Sequence, residues 1–409
     1  MKFQSALIFS TILVFNANAQ NYFSLKGKIV DAVSNQPIEG AYVSFASKSQ
    51  GIISNENGDF VLKFPKNHLD TSLVINAFGY TPRIDAIEQT DSLYTFSLER
   101  AIPQRLDKLK FDSLNIKSKV LVNRAFSEIK KLYPTKPSLL TGYYQEMASV
   151  NREDAVLKEA IIRVERSTGL RSELGDKIKL MKGRNLENPI NANIIRKHGF
   201  KNGFNIAVKS FESGVPEFFG DKLSDYAFKL DTNLIEINNR YNYVFIFSPI
   251  KKRIKAERTG SLYVDTLTNA IVRMEYEMTE KGADDVFAGN VLSNIKKTGK
   301  SITYAVNYKL FSGKWYLQDS KLKIETELEN MLNANQKVSN ELTIRFVTTD
   351  IGKSNGRFID SLDRMVDTDE IKKSNKTSDN FWQNYNFVPQ SKIKAFEGYN
   401  NLKSYAIGK

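Results

Sequence analysis

Four segments between residues 241 and 328 repeat apolar side chains with a period of two, and the last three set mostly polar or charged residues at the alternate positions. In the first, Tyr241, Tyr243, Phe245 and Phe247 share one face. In the second, Val272, Met274, Tyr276 and Met278 oppose Arg273, Glu275 and Glu277. Tyr304, Val306, Tyr308 and Leu310 alternate with Ala305, Asn307 and Lys309, and Leu322, Ile324, Thr326 and Leu328 alternate with Lys321, Lys323, Glu325 and Glu327. Successive strand residues point to opposite faces. These runs therefore predict a large, curved antiparallel sheet over 139–350, apolar on one face and wet on the charged other. The apolar face needs a cover. Three candidates are a helix over 116–133, the Gly- and Asn-containing stretch 185–225, and a tail with Phe381, Trp382, Tyr385 and Phe387. In the helix, Leu121, Ala125, Ile129 and Leu132 form a stripe beside Val122 and Phe126, and Pro134 ends it. Pro389 suits the first turn of a last short helix. The covers either close the core or leave part of the face lining a ligand cavity.

A different texture precedes the sheet. Residues 23–99 contain short alternating runs: Ala41, Val43 and Phe45; Phe60, Leu62 and Phe64; Tyr94, Phe96 and Leu98. Turn signals at Pro37, Gly40, Asn57-Gly58 and Gly79 separate them. About seven strands at this spacing predict an all-β sandwich. The expected organisation is a leader over 1–19, a sandwich over 23–99, a polar linker over 100–115, an α+β domain over 116–350 and a helical tail over 351–409.

The leader is read from Lys2, an apolar run at 6–15 (ALIFSTILVF) and Ala17-Asn18-Ala19, which places a cleavage site between Ala19 and Gln20. The apolar run is too short for a permanent span, and no later stretch approaches one. Export to the periplasm, to association with the outer membrane, or beyond the cell is the expectation. The chain has no cysteine, which excludes disulfides, thiolate metal sites and cysteine nucleophiles. Its net charge is +13, of which the leader supplies only Lys2. For an exported chain the counter-charges are anionic lipid head groups, lipopolysaccharide or acidic glycans rather than nucleic acid. A lysine-rich soluble surface is the plainer explanation of the charge. The candidate anionic contacts are Lys251, Lys252, Arg253, Lys255 and Arg258, with Lys296, Lys297 and Lys300 as reinforcement; a solvated loop is the plainer reading.

The strings GKIVDAVSNQPIEGAYVSF, GIISNENGDFVLKF and LVINAFGY resemble the carboxypeptidase regulatory-domain-like family through Gly27, Val30, Asp31, Pro37, Gly40, Ala41, Val43, Asn57, Gly58, Phe60, Gly79 and Tyr80. The resemblance implies a transthyretin-like (prealbumin-like) sandwich of the kind common in Bacteroidota envelope proteins, where it is an accessory domain. Residues 260–278 resemble one hairpin of outer-membrane lipoprotein carriers and related lipid-binding half-barrels. TGYYQEM, KIKLMKGR and FWQNYN resemble an uncharacterised Bacteroidota envelope family, which implies no activity.

No catalytic constellation stands out. His68 and His198 are the two histidines, and neither begins an H-x-x-E pair, so a carboxypeptidase zinc site is not assembled. Asn55 to Asp59 superficially matches a calcium loop but lacks its leading Asp and spaced Glu; a hairpin turn using positive φ at Asn57-Gly58 accounts for it. Asp284-Asp285 and Glu275/Glu277 are carboxylate pairs of the sort that charged strands and loops supply freely. The aromatic strand at 241–247, Trp315 and Trp382 are read first as core, and second as surfaces for sugar rings or lipid. No cofactor or metal is expected. The leading expectation is a non-enzymatic binding protein for a lipid or other envelope component. Its alternatives are an interaction protein docking to an outer-membrane receptor or assembly through the sandwich, and a hydrolase with an unrecognised site. Protein recovered from a secreting host is expected to begin at Gln20, which N-terminal sequencing checks; a chain still starting at Met1 would mean an uncleaved anchor.

Overall fold

The computed structural model describes residues 22–46, 48–65, 72–87, 93–166, 176–189, 191–192, 207–208, 223–250, 257–287, 291–292, 295–330, 337–353, 359–360, 364, 370–373, 382 and 385–390. Seven strands open the chain: β1 (Tyr22–Asp31), β2 (Tyr42–Phe45), β3 (Gly51–Ile53), β4 (Asp59–Pro65), β5 (Ser72–Asn76), β6 (Arg83–Ala86) and β7 (Leu93–Leu98). They form a three-stranded sheet, β4-β1-β7, facing a four-stranded sheet, β3-β2-β5-β6. The alternation of β4 buries Phe60, Leu62 and Phe64, and Phe45 meets Phe64 edge-on at 4.8 Å. Asn57-Gly58 does not close a hairpin, because β3 pairs with β2 and β4 with β1. The turn carries the chain from one sheet to the other. Only Gly58 takes positive φ (+78°), and the Asn55 side chain accepts from the backbone N–H of Asn57 and Asp59.

The expected linker is folded. After β8 (Gln104–Arg105), Asp107 caps α1 (Lys108–Ile116) by accepting from Lys110 N–H at 2.8 Å. The helix expected over 116–133 is two: α2 (Ser118–Ser127) and α3 (Ile129–Leu132). Their buried stripe is Val122, Ala125 and Ile129. Sequence reading missed α1 because Phe111 and Leu114 are only half-buried and mark no clear face.

The remaining strands are β9 (Ser138–Val150), β10 (Glu153–Arg166), β11 (Lys177–Glu187), β12 (Tyr226–Leu230), β13 (Asn233–Ile237), β14 (Arg240–Pro249), β15 (Arg258–Asp265), β16 (Ile271–Met278), β17 (Val291–Leu292), β18 (Ile295–Phe311), β19 (Lys314–Asn330) and β20 (Lys337–Lys353). With β8 they make a thirteen-stranded sheet in the order β11-β10-β9-β20-β19-β18-β16-β15-β14-β13-β8, with β12 on β14 and β17 on β18. Every pair is antiparallel. Three hairpins turn on two residues of positive φ, Asn151-Arg152, Asn238-Asn239 and Ser312-Gly313, the geometry that matches strand twist. Register shifts in five of the pairings mark bulges that bend the strands.

On the apolar face Tyr144, Phe346, Leu322, Tyr304, Val306, Met274, Leu262 and Phe245 form one cluster with Val122, Ala125, Ile129 and Tyr133 of the helical side. The Tyr133 hydroxyl donates to the Ile271 carbonyl. Ala283 and Phe287 of α4 (Glu280–Phe287) join this cluster, as does Ile371 of α5 (Glu370–Lys373). Most of 185–225 lies outside the described residues, but Ala192, Ala207 and Val208 pack here.

The charged face departs from expectation: it is not wet along its whole width. Tyr143, Ile161 and Val347 interrupt its polar rows on β9, β10 and β20, and their cluster is continuous with the sandwich core. That contact explains why Tyr42, on the outward parity of β2, is 3 % exposed. The tail also sits on this side. Trp382 meets Tyr143 edge-on at 6.0 Å, Asn386 brackets Lys63 of β4 through its side-chain amide, and Asn55 donates to the Pro389 carbonyl at 3.0 Å. Residues 386–390 are not helical; these bonds hold Pro389 in a run laid across the sandwich edge.

The central strands are thus buried on both faces, and two adjacent residues report on it. Phe346→Ala on the helix side should cost about 3–5 kcal/mol. Val347→Asp on the sandwich side should cost about 3 kcal/mol or more, by burying an unpaired carboxylate. Urea unfolding measures both; an unchanged midpoint for Val347→Asp would mean that this face is open.

Candidate functional site

Strand register arranges the polar face in rows. Tyr263, Arg273, Asn307 and Asp319 lie directly opposite one another across β15, β16, β18 and β19, and the row continues into Val347, Tyr143 and Ile161. The next row is Ser261, Glu275, Ala305, Lys321, Arg345, Gln145, Glu159 and Arg184. A third contains Thr259, Glu277, Thr303 and Lys323. Cross-strand neighbours sit close enough to bond, so each row can act as a chain of contacts.

The first row does so. Arg273 Nη1 donates to Asn307 Oδ1 at 2.6 Å and Nη2 to Glu275 Oε2 at 2.6 Å. Tyr263 donates to the other Glu275 oxygen at 2.6 Å. Asn307 Nδ2 donates to Asp319 Oδ1 at 2.9 Å, and Gln318 Nε2 to Asp319 Oδ2 at 3.0 Å. Gln318 is the extra residue of a β19 bulge, where Asn307 opposes Asp319 and Tyr308 opposes Leu317. The bulge puts consecutive side chains, Gln318 and Asp319, within reach of one site.

The sandwich roofs this row. Phe78, in the turn after β5, lies under the Arg273 guanidinium at 4.2 Å and edge-on to Tyr263 at 5.3 Å, a cation–π contact. Glu39 pairs with Arg345 and, at 2.8 Å, with Lys321. Between these clamps lies a cleft of about 320 Å³, lined by Glu39, Asn76, Phe78, Tyr80, Asn238, Arg273, Asn307, Gln318 and Asp319, among others. A second cavity of about 210 Å³ shares Asn76, Asn238 and Gln318 with it and reaches Lys309 and Tyr42. On the other side a more open groove of about 650 Å³ shares Ala305 and Lys321 with the cleft and runs over Thr259, Ser261, Glu275, Glu277, Thr303 and Lys323.

Electrostatics follow from this packing. Burial raises the Asp319 carboxyl although Asn307, Gln318 and Arg273 favour its charge. Burial acts upward on Glu275 too, but Arg273 and the Tyr263 hydroxyl outweigh it, so Glu275 is held below its usual range. Glu39 falls to about 2, because Arg345 and Lys321 overcome its desolvation. Lys309 is 9 % exposed; burial pushes its ammonium down to about 7, against the pull of Asp350 and Asp319. It donates to the Tyr42 hydroxyl and the Ser49 carbonyl, two bonds that a neutral amine can also make.

Three buried atoms of the cleft lining have no hydrogen-bond partner in the protein: Arg273 Nε, Gln318 Oε1 and Asn76 Oδ1. Leaving such an atom unmade costs about 1–3 kcal/mol.

The sequence candidates lie elsewhere. Ala19, Gln20, Lys251, Lys252, Arg253 and Lys255 fall outside the described residues. Arg258 is half-buried, its guanidinium 5.4 Å from the centre of the Tyr276 ring. Lys297 faces Phe287 at 4.7 Å and Lys300 pairs with Glu280 at 2.8 Å. Phe245, Phe247 and Trp315 are core, and Trp382 of the tail is buried against Tyr143 and Phe387. Arg273, Asn307, Gln318, Asp319 and Asn76 were not singled out; their signal was polar residues at the outward positions of long strands. No group of His, Cys, Asp and Glu suited to a metal ion occurs among the described residues, and no described helix is long and apolar enough to cross a membrane.

The paired sheets of residues 22–98 define a seven-stranded β-sandwich. Residues 25–103 match the family described as CarboxypepD_reg-like domain, and the chain carries that domain there. No functionally curated protein matches the chain. Among solved structures it is similar to a DUF1329 family protein from Desulfovibrio piger, at 10% identity over 59% of this chain and 95% of that one, with a TM-score of 0.24. It is also similar to a LolA superfamily protein from Nitrosomonas europaea, at 10% identity over 61% of this chain and 97% of that one, with a TM-score of 0.21. At such TM-scores neither likeness carries an argument.

Lys309 makes the sandwich contact pH-dependent. Its ordinary value is 10.5 and its folded value about 7, so between these the unfolded chain binds the additional proton and stability rises with pH. Urea midpoints of the protein relative to Lys309→Met should therefore climb from pH 7 towards pH 10 and stay level below pH 6. Parallel profiles would show that Lys309 is not buried.

Proposed function

We propose that this is an exported, non-enzymatic cell-envelope protein that binds a polar envelope component in the cleft between the sandwich and the charged face of the sheet. The observation that carries the reading is the polar lining of one cavity of about 320 Å³, where Asn76, Asn238, Arg273, Asn307, Gln318 and Asp319 meet between the sandwich and the sheet. A pocket lined by a few fixed polar groups suits a polar ligand. Lipid in the half-barrel sense has less support, since the apolar face is packed against Val122, Ala125, Ile129 and Tyr133. A hydrolytic role is disfavoured by Asp319: both of its oxygens accept from amide N–H groups, which suits an acceptor rather than a proton donor. Docking to an outer-membrane partner through the sandwich has to contend with Glu39, Tyr42 and Phe78, which are engaged by the chain's own sheet. The leader and the accessory-type domain support the extracytoplasmic setting.

The absence of cysteine allows one environment-sensitive dye to be placed at Pro82→Cys on the cleft wall. Titration with the water-soluble fraction of the producing organism's envelope should shift the emission and raise Tm. A response to the chloroform-soluble fraction alone would favour lipid, and silence with both would remove the cleft as a binding site.

A further inference from the structure

We infer that the helical side of the sheet docks onto an anionic lipid bilayer, through the exposed face of α1 and the first turn of α2. This surface lies across the sheet from the cleft, and neither depends on the other.

The two helices turn their better apolar residues inward. Phe111 and Leu114 of α1 pack half-buried against the core, and α2 buries Val122 and Ala125. Three large apolar side chains nevertheless remain outside. Leu109 is 84 % exposed, Ile116 86 % and Val120 65 %. Leu109 and Ile116 are separated by about two helical turns and so share one stripe of α1. Val120 follows in the first turn of α2, just past the junction at Lys117. Among the described residues, Val33 and Ile102 alone match the exposure of Leu109 and Ile116. A lone exposed apolar residue is ordinary, but a row of them on a short stretch of helix marks an interaction surface.

Charge identifies the partner. Residues 105–124 hold six cations, Arg105, Lys108, Lys110, Lys117, Lys119 and Arg124, against two carboxylates, Asp107 and Asp112. All six cations are exposed, and among the described residues none of them makes a salt bridge. The cations beside the cleft differ: Arg273 is paired with Glu275, and Lys321 and Arg345 with Glu39. Nor do these lysines serve the helices. Lys108 and Lys110 stand in the first turn of α1 and Lys119 in that of α2, where the macrodipole disfavours positive charge. A soluble polyanion would satisfy the cations and leave Leu109 and Ile116 in water. A bilayer with acidic head groups answers both, its phosphates meeting the lysines while the apolar side chains enter the acyl boundary, as in helices that lie in a membrane interface. The docking is peripheral, since no described helix is long and apolar enough to cross a membrane. With the helices on the bilayer, the sheet stands between the membrane and the cleft.

The test floats the full secreted chain with vesicles of phosphatidylcholine alone, and with vesicles of equal parts phosphatidylcholine and phosphatidylglycerol. The protein should rise with the phosphatidylglycerol vesicles, stay behind with phosphatidylcholine, and detach as salt is raised from about 50 to about 500 mM. Leu109→Ser with Ile116→Ser should weaken the partition about tenfold, with Tm unchanged because both side chains are already in water. Lys108→Glu with Lys119→Glu should weaken it at least about tenfold, while Tm holds or rises, since carboxylates suit the first turn of a helix. Those Tm readings separate loss of docking from loss of the fold. Binding to phosphatidylglycerol vesicles that either double variant leaves unchanged overturns the assignment. Absence of binding to those vesicles overturns it too, and leaves an acidic protein as the partner of this surface.

Discussion

A charge moved out of water has to be paired, and in this protein that requirement governs how the sandwich meets the sheet. The face that the sandwich covers carries Arg273, Glu275, Lys309, Asp319, Lys321 and Arg345. Most are matched: Arg273 by Glu275 and Phe78, Arg345 and Lys321 by Glu39, Asp319 by two amides. Lys309 is the exception, held by neutral oxygens, and burial moves its titration towards neutrality as a result. The sandwich is therefore seated by complementary polar contacts around an apolar centre of Tyr143, Ile161 and Val347. Polar contacts of this kind specify an orientation, because a small rotation would strand several charges together.

The cleft is a by-product of the same geometry. The curved sheet and the sandwich touch at separate points, and the cleft lies between them. What distinguishes this space is its lining. The β19 bulge turns Gln318 and Asp319 to the same site, and the ladder from Tyr263 to Gln318 leaves atoms such as Gln318 Oε1 unmatched. Strands paired on both sides hold those side chains, so this wall of the site is preorganised by the sheet.

Much of the fold was legible in the residues. Alternation such as Leu322, Ile324, Thr326 against Lys321, Lys323, Glu325 reports strand and face together, because side-chain period and backbone period are locked. The sandwich was equally readable from its short runs and turns. The helix α1 was not, since Phe111 and Leu114 mark no clear face, and neither was the turn at Asn57-Gly58, whose residues suit a hairpin as well as a crossing between sheets. The candidate site was the least legible part. Arg273, Glu275 and Asn307 read as members of a wet face, which is what polar outward residues are in most sheets.

The sequence by itself determined where the long strands run, which face of each is apolar, and that cysteine chemistry has no place here. Those properties are local, set by side-chain type and spacing. Only the tertiary structure decided that part of the polar face is covered. That outcome depends on the register linking Tyr263, Arg273, Asn307 and Asp319 across four strands, and on a partner, Phe78 with Glu39, that is distant in sequence. Pairing at such separations follows from the simultaneous fit of many contacts, and no single stretch of chain encodes it.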